Sequence, residues 1–278
     1  MRTDAGRDGL GWSPATVLTH HCAPVAHEEA VLEEAAVSIV INGQPYAVMM
    51  VTPDHLDDFF RGFLWSEGLL QSLDEIIAWE SVRVSEGWAI YLQLSPPAAQ
   101  RVESKRRCVI GGSACGLCGT PCFAGLVPFA PLQRAALTDA ESIHDLLARM
   151  QQQQALNRST GTAHAAILET HRGVLVREDI GRHNAVDKSI GAAIQQGLTL
   201  GDATVLGVSS RLSFEIALKA LGFGIPVVAA ISGVSSFAIQ LAESHGLTLI
   251  GYARDGRMTV YAHAERVRDC VEPVPVHF

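Results

Sequence analysis

A chain of 278 residues with 48% hydrophobic content can bury a substantial core, and its length favours two modest units over one large one. The formal net charge of −8 argues against a generic nucleic-acid binder, because affinity for a phosphate backbone comes from clustered Lys and Arg. Residues 1–13 hold no apolar stretch of a secretory signal, and no run approaches the roughly 20 apolar residues that cross a bilayer, so a cytoplasmic protein without membrane contact is expected. In that reducing compartment cysteines are more often free, catalytic or metal-bound than locked in disulfides.

Residues 1–24 lack strong periodicity and are expected as a mobile N-terminal arm; His20, His21 and Cys22 have no fourth partner at metal spacing. An N-terminal α+β region is expected over 25–135. Within it Val37 to Ile41 and Tyr46 to Val51 are β-rich and joined by Asn42-Gly43, a hairpin signal because both residues tolerate positive φ. Thr52 as N-cap and Pro53 at the first position predict a helix with Leu56, Phe59, Phe60, Phe63 and Leu64 on its core face, ending at Gly68. A second hairpin, Val82 to Ser85 and Trp88 to Leu94 around Glu86-Gly87, precedes Pro96-Pro97, where the pattern breaks and a cysteine-bearing loop is expected.

Four of the six cysteines fall between Cys108 and Cys122, with Cys115-Gly116-Leu117-Cys118 at the centre. Glycines 111, 112, 116 and 119 permit unusual backbone torsions, and the nearby cations Lys105, Arg106 and Arg107 favour thiolate, the reactive form. Spacing alone leaves three uses open. A redox dithiol would want its first cysteine at a helix start, whereas the helix signal Thr120-Pro121 follows the pair. A metal site could draw on Cys108, Cys115, Cys118 and Cys122, but structural zinc pairs two short knuckles and only one Cys-x-x-Cys exists. A sulfur relay needs an exposed thiolate on a loop, which the segment fits.

Residues 136–278 are expected as an α/β domain. Thr138-x-x-Glu141 reads as a capping box opening a helix through about Met150. Apolar strands near 163–168, 174–177, 203–208, 226–231 and 247–252, with a last one around Met258, Val260 and Tyr261, alternate with helical segments and predict a layered, mainly parallel or mixed sheet. Polar clusters follow the strands: Glu178 to Asn184, Ser209-Ser210-Arg211, Ser232-Gly233 and Arg254 to Arg257. Parallel strands would bring these to one edge, where α/β sheets bind ligands. Arg182, Arg211, Arg254 and Arg257 suit phosphates, and Asp179, Asp187 or Asp255 suit a purine or pterin edge; the plainer alternative is ordinary caps and salt-bridged loops. His183 is a candidate acid or base, with no Ser or Cys adjacent in sequence to make a nucleophile pair. No phosphate-binding Gly-x-x-x-x-Gly-Lys-Ser/Thr loop is present.

Cys115 to Gly119, Glu178 to Lys188, Ser210-Arg211-x-Ser213-Phe214-Glu215 with Lys219, Asn42-Gly43 and Gly62-Phe63-Leu64-x-Ser66-Glu67-Gly68 occur in order, and together they resemble the FdhD family of formate dehydrogenase accessory sulfurtransferases from about Val37 onward. The resemblance implies a fold similar to cytidine deaminases, although the deaminase signature itself is absent and that activity is not expected. It also implies a protein that receives sulfur from a cysteine desulfurase as a persulfide on Cys115, with Cys118 its partner, while Cys108 and Cys122 are bystanders. The sulfur would pass to the molybdenum bis(molybdopterin guanine dinucleotide) cofactor of formate dehydrogenase, held by Tyr252, Ala253, Arg254, Asp255, Gly256 and Arg257 on the edge that also carries Asp179, Arg182, His183 and Arg211. A homodimer is compatible with this reading. A cofactor-binding chaperone without sulfur transfer and a dithiol oxidoreductase are the alternatives. The chain departs from the family where Ser-Ala-Pro-Thr-Ser is replaced by Ser232-Gly233-Val234-Ser235-Ser236, which leaves that loop's ligand contacts open.

Overall fold

The computed structural model describes residues 9–108, 130–132 and 137–268, with 106–108 as backbone only. Strands β1 (Leu10–Val17) and β2 (Val25–Leu32) form an antiparallel hairpin, paired from Leu10 with Leu32 to Val17 with Val25. This replaces most of the expected arm. The hairpin escaped the sequence reading because its faces are largely exposed, so backbone pairing rather than an apolar alternation holds it.

β3 (Ala35–Ile41) and β4 (Gln44–Val51) turn at Asn42 and Gly43, whose φ values of 49° and 77° are those of a tight hairpin. After helix α1 (Leu56–Ser66), β5 (Ile76–Val84) and β6 (Gly87–Leu94) complete a four-stranded sheet of order β4-β3-β6-β5. Its inner face, with Val37, Ile39, Val51 and Ile90, meets Phe59, Phe60 and Leu64 of α1, all fully buried. The helix starts three residues later than Thr52 and Pro53 predicted, because Thr52 is drawn into hydrogen bonds with the second half of the chain. Pro96 and Pro97 open helix α2 (Pro96–Cys108) instead of ending structure. Proline is tolerated in a first turn, where its missing N–H has no partner to lose.

The second half begins with β7 (Thr138–Asp139), α3 (Ala140–Gln153) and α4 (Ala155–Thr160). Asp139 caps α3 by accepting from Ser142 N at 2.7 Å, one residue beyond the cap expected at Thr138. There follow β8 (His164–Thr170), β9 (Gly173–Asp179), α5 (Arg182–Gln195), β10 (Ala203–Val208), α6 (Phe214–Gly222), β11 (Val227–Ala230), α7 (Ser236–His245), β12 (Thr248–Arg254), β13 (Arg257–Ala262) and β14 (Val267–Arg268). The six-stranded sheet has order β13-β12-β11-β10-β8-β9 and is mixed: β10, β11 and β12 are parallel, while β8 and β13 run against them. β9 is antiparallel to β8 and so runs with β10. The carboxyl ends of β9, β10, β11 and β12 therefore share one edge, as the polar clusters required.

Helices α5, α6 and α7 cover one face of this sheet within a single apolar cluster that reaches back to Val37, and α3 covers the other through Ile143, Leu147 and Met150. α1 and α5 cross where Gly62 meets Gly191. A Cβ at Gly62 would lie 1.8 Å from the Asp187 carbonyl oxygen, and one at Gly191 would lie 1.8 Å from that of Asp58. Neither contact can be relieved by rotating a side chain. Gly62→Ala and Gly191→Ala are each expected to lower unfolding free energy in urea by about 3 kcal/mol or more, against about 1 kcal/mol for Gly43→Ala, whose site is open but has positive φ.

Candidate functional site

The site is organised from inside by Asp179, the last residue of β9, and Lys188 of α5, both fully buried and joined by an ion pair of 2.6 Å. Thr52 closes the joint: its N–H donates to Asp179 Oδ2 at 3.1 Å, its carbonyl accepts from Lys188 Nζ at 2.9 Å, and its hydroxyl accepts from Ile180 N. Asp179 Oδ1 accepts from Gly181 N and from Asn184 Nδ2, which also donates to the Met50 carbonyl. Asp179 thus faces inward, and its part is to hold the loop that presents Arg182 and His183.

Beside this joint lies a cavity of about 260 Å³ between the two halves, with Val48, Met50 and Phe63 on one side and His183, Glu215 and Lys219 on the other. Lys219 Nζ grips both carboxylate oxygens of buried Asp187, at 2.7 and 2.9 Å, and ties α6 to α5. Burial raises the Asp187 carboxyl and Lys219 opposes that rise. The Nε2 atom of His183 is buried, has no hydrogen-bond partner among the described residues and stands 3.9 Å from Glu215 Oε2. Burial, with Arg182 and Lys219 nearby, pushes its imidazole down to about 4, so it is neutral at neutral pH.

His164, at the start of β8, faces the same neighbourhood. Burial, then Arg182 and Arg211, depress its pKa, and its Nδ1 lies 3.4 Å from Ser209 Oγ. At the cavity rim Glu67 accepts from Lys105 Nζ at 2.5 Å, which anchors α2, the helix leading toward the cysteine run. Lys105 is therefore engaged by a carboxylate rather than free beside the thiols. Cys115, Cys118 and Cys122 lie outside the described residues, and only the backbone of Cys108 is described.

At the far end of the edge a recess of about 320 Å³ is lined by Tyr252, Arg254, Asp255 and Arg257. Tyr252 and Asp255 take φ values of 51° and 54°, a left-handed backbone uncommon for side-chain-bearing residues and associated with functional sites. Ala253 points away, buried in the cluster under α3, and Gly256 supplies the turn. Arg254 meets Asp255 only at 3.9 Å, and the side chains of Arg182, Arg211 and Arg257 have no ion pair or hydrogen bond among the described residues. Asp179 and Arg254 terminate strands four pairings apart, which at strand spacing is about 19 Å. The expected cofactor residues thus form two groups on one edge, with Arg211 between them.

The FdhD/NarQ family model matches residues 32–268. The chain belongs to that family. Among curated relatives, the sulfur carrier protein FdhD of Xanthomonas euvesicatoria pv. vesicatoria is 37% identical over 86% of this chain and 86% of its own length. That of Bordetella parapertussis is 38% identical over 85% and 87%. A crystal structure from Desulfotalea psychrophila, described as a formate dehydrogenase accessory protein, superposes with TM-score 0.72 at 24% identity, covering 93% of this chain and 99% of that one; the fold is shared. Within the family's motifs, the structure separates the groups that hold the loop, Asp179 and Lys188, from those that line the cavity, His183, Asp187 and Glu215. The sequence reading missed Thr52, whose capping pattern concealed it, and His164, which carries no local signal.

The His183 imidazole titrates near 4 when folded and about 6.5 when unfolded, so the unfolded chain binds the proton first and stability falls as pH drops through that window. His183→Asn is expected to flatten the decline between pH 6 and 5 by roughly 1 kcal/mol per pH unit, as read from urea unfolding at each pH.

Proposed function

We propose that this protein is a cytoplasmic sulfur carrier that takes sulfur from a cysteine desulfurase and delivers it to the molybdenum bis(molybdopterin guanine dinucleotide) cofactor required by formate dehydrogenase. The relatives that carry the name sulfur carrier protein support the first half of the reading. In that step the Cys115 thiolate attacks the outer sulfur of the desulfurase persulfide. A new S–S bond forms on Cys115, the old one breaks, and the desulfurase cysteine leaves as thiolate, with Cys118 as partner of the loaded residue.

The observation that carries the second half is the row of arginines along one sheet edge, Arg182, Arg211, Arg254 and Arg257, none closely paired among the described residues. Arg211, Arg254 and Arg257 are exposed and Arg182 is half-buried, so each is accessible to an anion, and arginine's planar fork matches phosphate oxygens. Two groups about 19 Å apart suit an elongated ligand with a phosphate-bearing arm at each end better than a single nucleotide. Among the described residues no helix is long and apolar enough to cross a membrane.

Incubation with a cysteine desulfurase and cysteine, followed by mass mapping, is expected to show one added sulfur atom on the peptide of residues Cys115 and Cys118, retained in Cys118→Ala and lost in Cys115→Ala. An unmodified peptide, under conditions that load a control carrier, rejects the relay and leaves a cofactor-binding chaperone. Arg254→Ala with Arg257→Ala is expected to weaken GDP binding in a direct titration by about 1.5–3 kcal/mol per lost charge-assisted contact. Unchanged affinity rejects the assignment of that recess.

A further inference from the structure

Between the two arginine groups the edge carries an aromatic pair, Phe214 with Phe237, that the charge pattern does not explain. Phe214, the first residue of α6, is 6% exposed; Phe237, in the first turn of α7, is 49% exposed. Their rings stack with centroids 4.3 Å apart and planes 10° apart. Phe214 thus backs one face of Phe237, whose side chain is still half exposed.

The backbone fixes this pair within the edge. Leu212 N donates to Gly233 O at 2.9 Å and Ser235 N donates to Leu212 O at 3.0 Å, so the loop after β10 is bonded to the loop after β11. Tyr252 N in turn donates to Ser232 O at 3.0 Å, and a Cβ on Gly233 would lie 2.8 Å from the Tyr252 hydroxyl. Arg211, Phe237 and Tyr252 consequently follow one another across three stitched segments, with Tyr252 itself 40% exposed. A lone exposed phenylalanine needs no explanation. A phenylalanine already stacked on a buried ring, on an edge whose arginines are not closely paired among the described residues, is arranged to extend the stack.

We propose that Phe237, backed by Phe214, is the stacking platform for a planar heterocycle of the anionic ligand bound along this edge, a purine or pterin ring whose phosphates engage the flanking arginines. The assignment rests on the cofactor reading given above and adds to it the surface that distinguishes a ring-bearing ligand from a bare phosphate. An aromatic face recognises any flat heterocycle, so the platform supplies affinity for the ring, and selection among bases falls to polar groups around it.

The test compares GDP with inorganic pyrophosphate, which keeps the charge and lacks the ring, on the full chain. Phe237→Ala and Phe237→Leu are expected to bind GDP roughly 5- to 100-fold more weakly, the range for loss of one base–aromatic stack, with pyrophosphate affinity unchanged. Phe237→Trp is expected to keep GDP affinity and to show quenching on binding beyond that of the wild-type tryptophans. Thermal midpoints of the Leu and Trp variants guard against a folding defect. Wild-type GDP affinity in both the Ala and Leu variants overturns the platform and leaves the cofactor reading standing. An equal loss of GDP and pyrophosphate also overturns it, since the loop and not the stack would be at fault. A wild-type protein that binds neither probe overturns both.

Discussion

A carboxylate and an ammonium with no contact with water, Asp179 and Lys188, hold the second half of this protein to the first. Removing both from solvent is costly, and their mutual attraction with the surrounding hydrogen bonds roughly offsets that cost, so the pair is better understood as a source of geometry than of net stability. The geometry is specific because the pair gathers partners from both halves of the chain. Thr52 comes from the end of β4, Met50 from within it, and Gly181 and Asn184 from the turn into α5. Breaking one member would leave a buried charge uncompensated and release the turn that leads into Arg182 and His183 at the start of α5.

The two glycines at the α1–α5 crossing serve the same end by packing. Gly62 and Gly191 let the helix backbones approach until carbonyl oxygens occupy the space of a side chain. That closeness brings Phe63 and Glu67 over the start of α5 and makes the cavity beside His183 a feature of both halves. Burial then determines the chemistry. His183, partly buried, stays neutral with its Nε2 lacking a hydrogen-bond partner among the described residues, while the fully buried Asp187 is matched by Lys219.

Much of the architecture was readable from residue order. The Asn42-Gly43 turn, the aromatic stripe of α1 and the strands of the six-stranded sheet follow from positive-φ residues and periodic burial, and the structure has them where those patterns lie. The polar clusters at strand ends were also readable, because strand direction puts the ends of β9, β10, β11 and β12 on one edge. The two capping failures share one cause. Thr52-Pro53 has the form of a helix start and Thr138-x-x-Glu141 of a capping box, yet each hydroxyl's partner is chosen by what packs nearby, so Thr52 bonds across the chain and Asp139 caps α3. The β1–β2 hairpin left no trace because it buries little.

Residue order was enough to show the resemblance to the family, the strands of the six-stranded sheet, the clustered thiols and the sheet edge bearing arginines. Which polar groups face a ligand and which hold the loop was decided only by the tertiary structure. Asp179 and His183 are four residues apart and equally polar in sequence. One is enclosed by Lys188, Thr52 and Asn184; the other is left in a cavity with an unsatisfied nitrogen. Likewise the pairing of Phe214 with Phe237 depends on two loops bonded across adjacent strands. Such roles come from desolvation and long-range contact, which a residue acquires from neighbours distant in sequence.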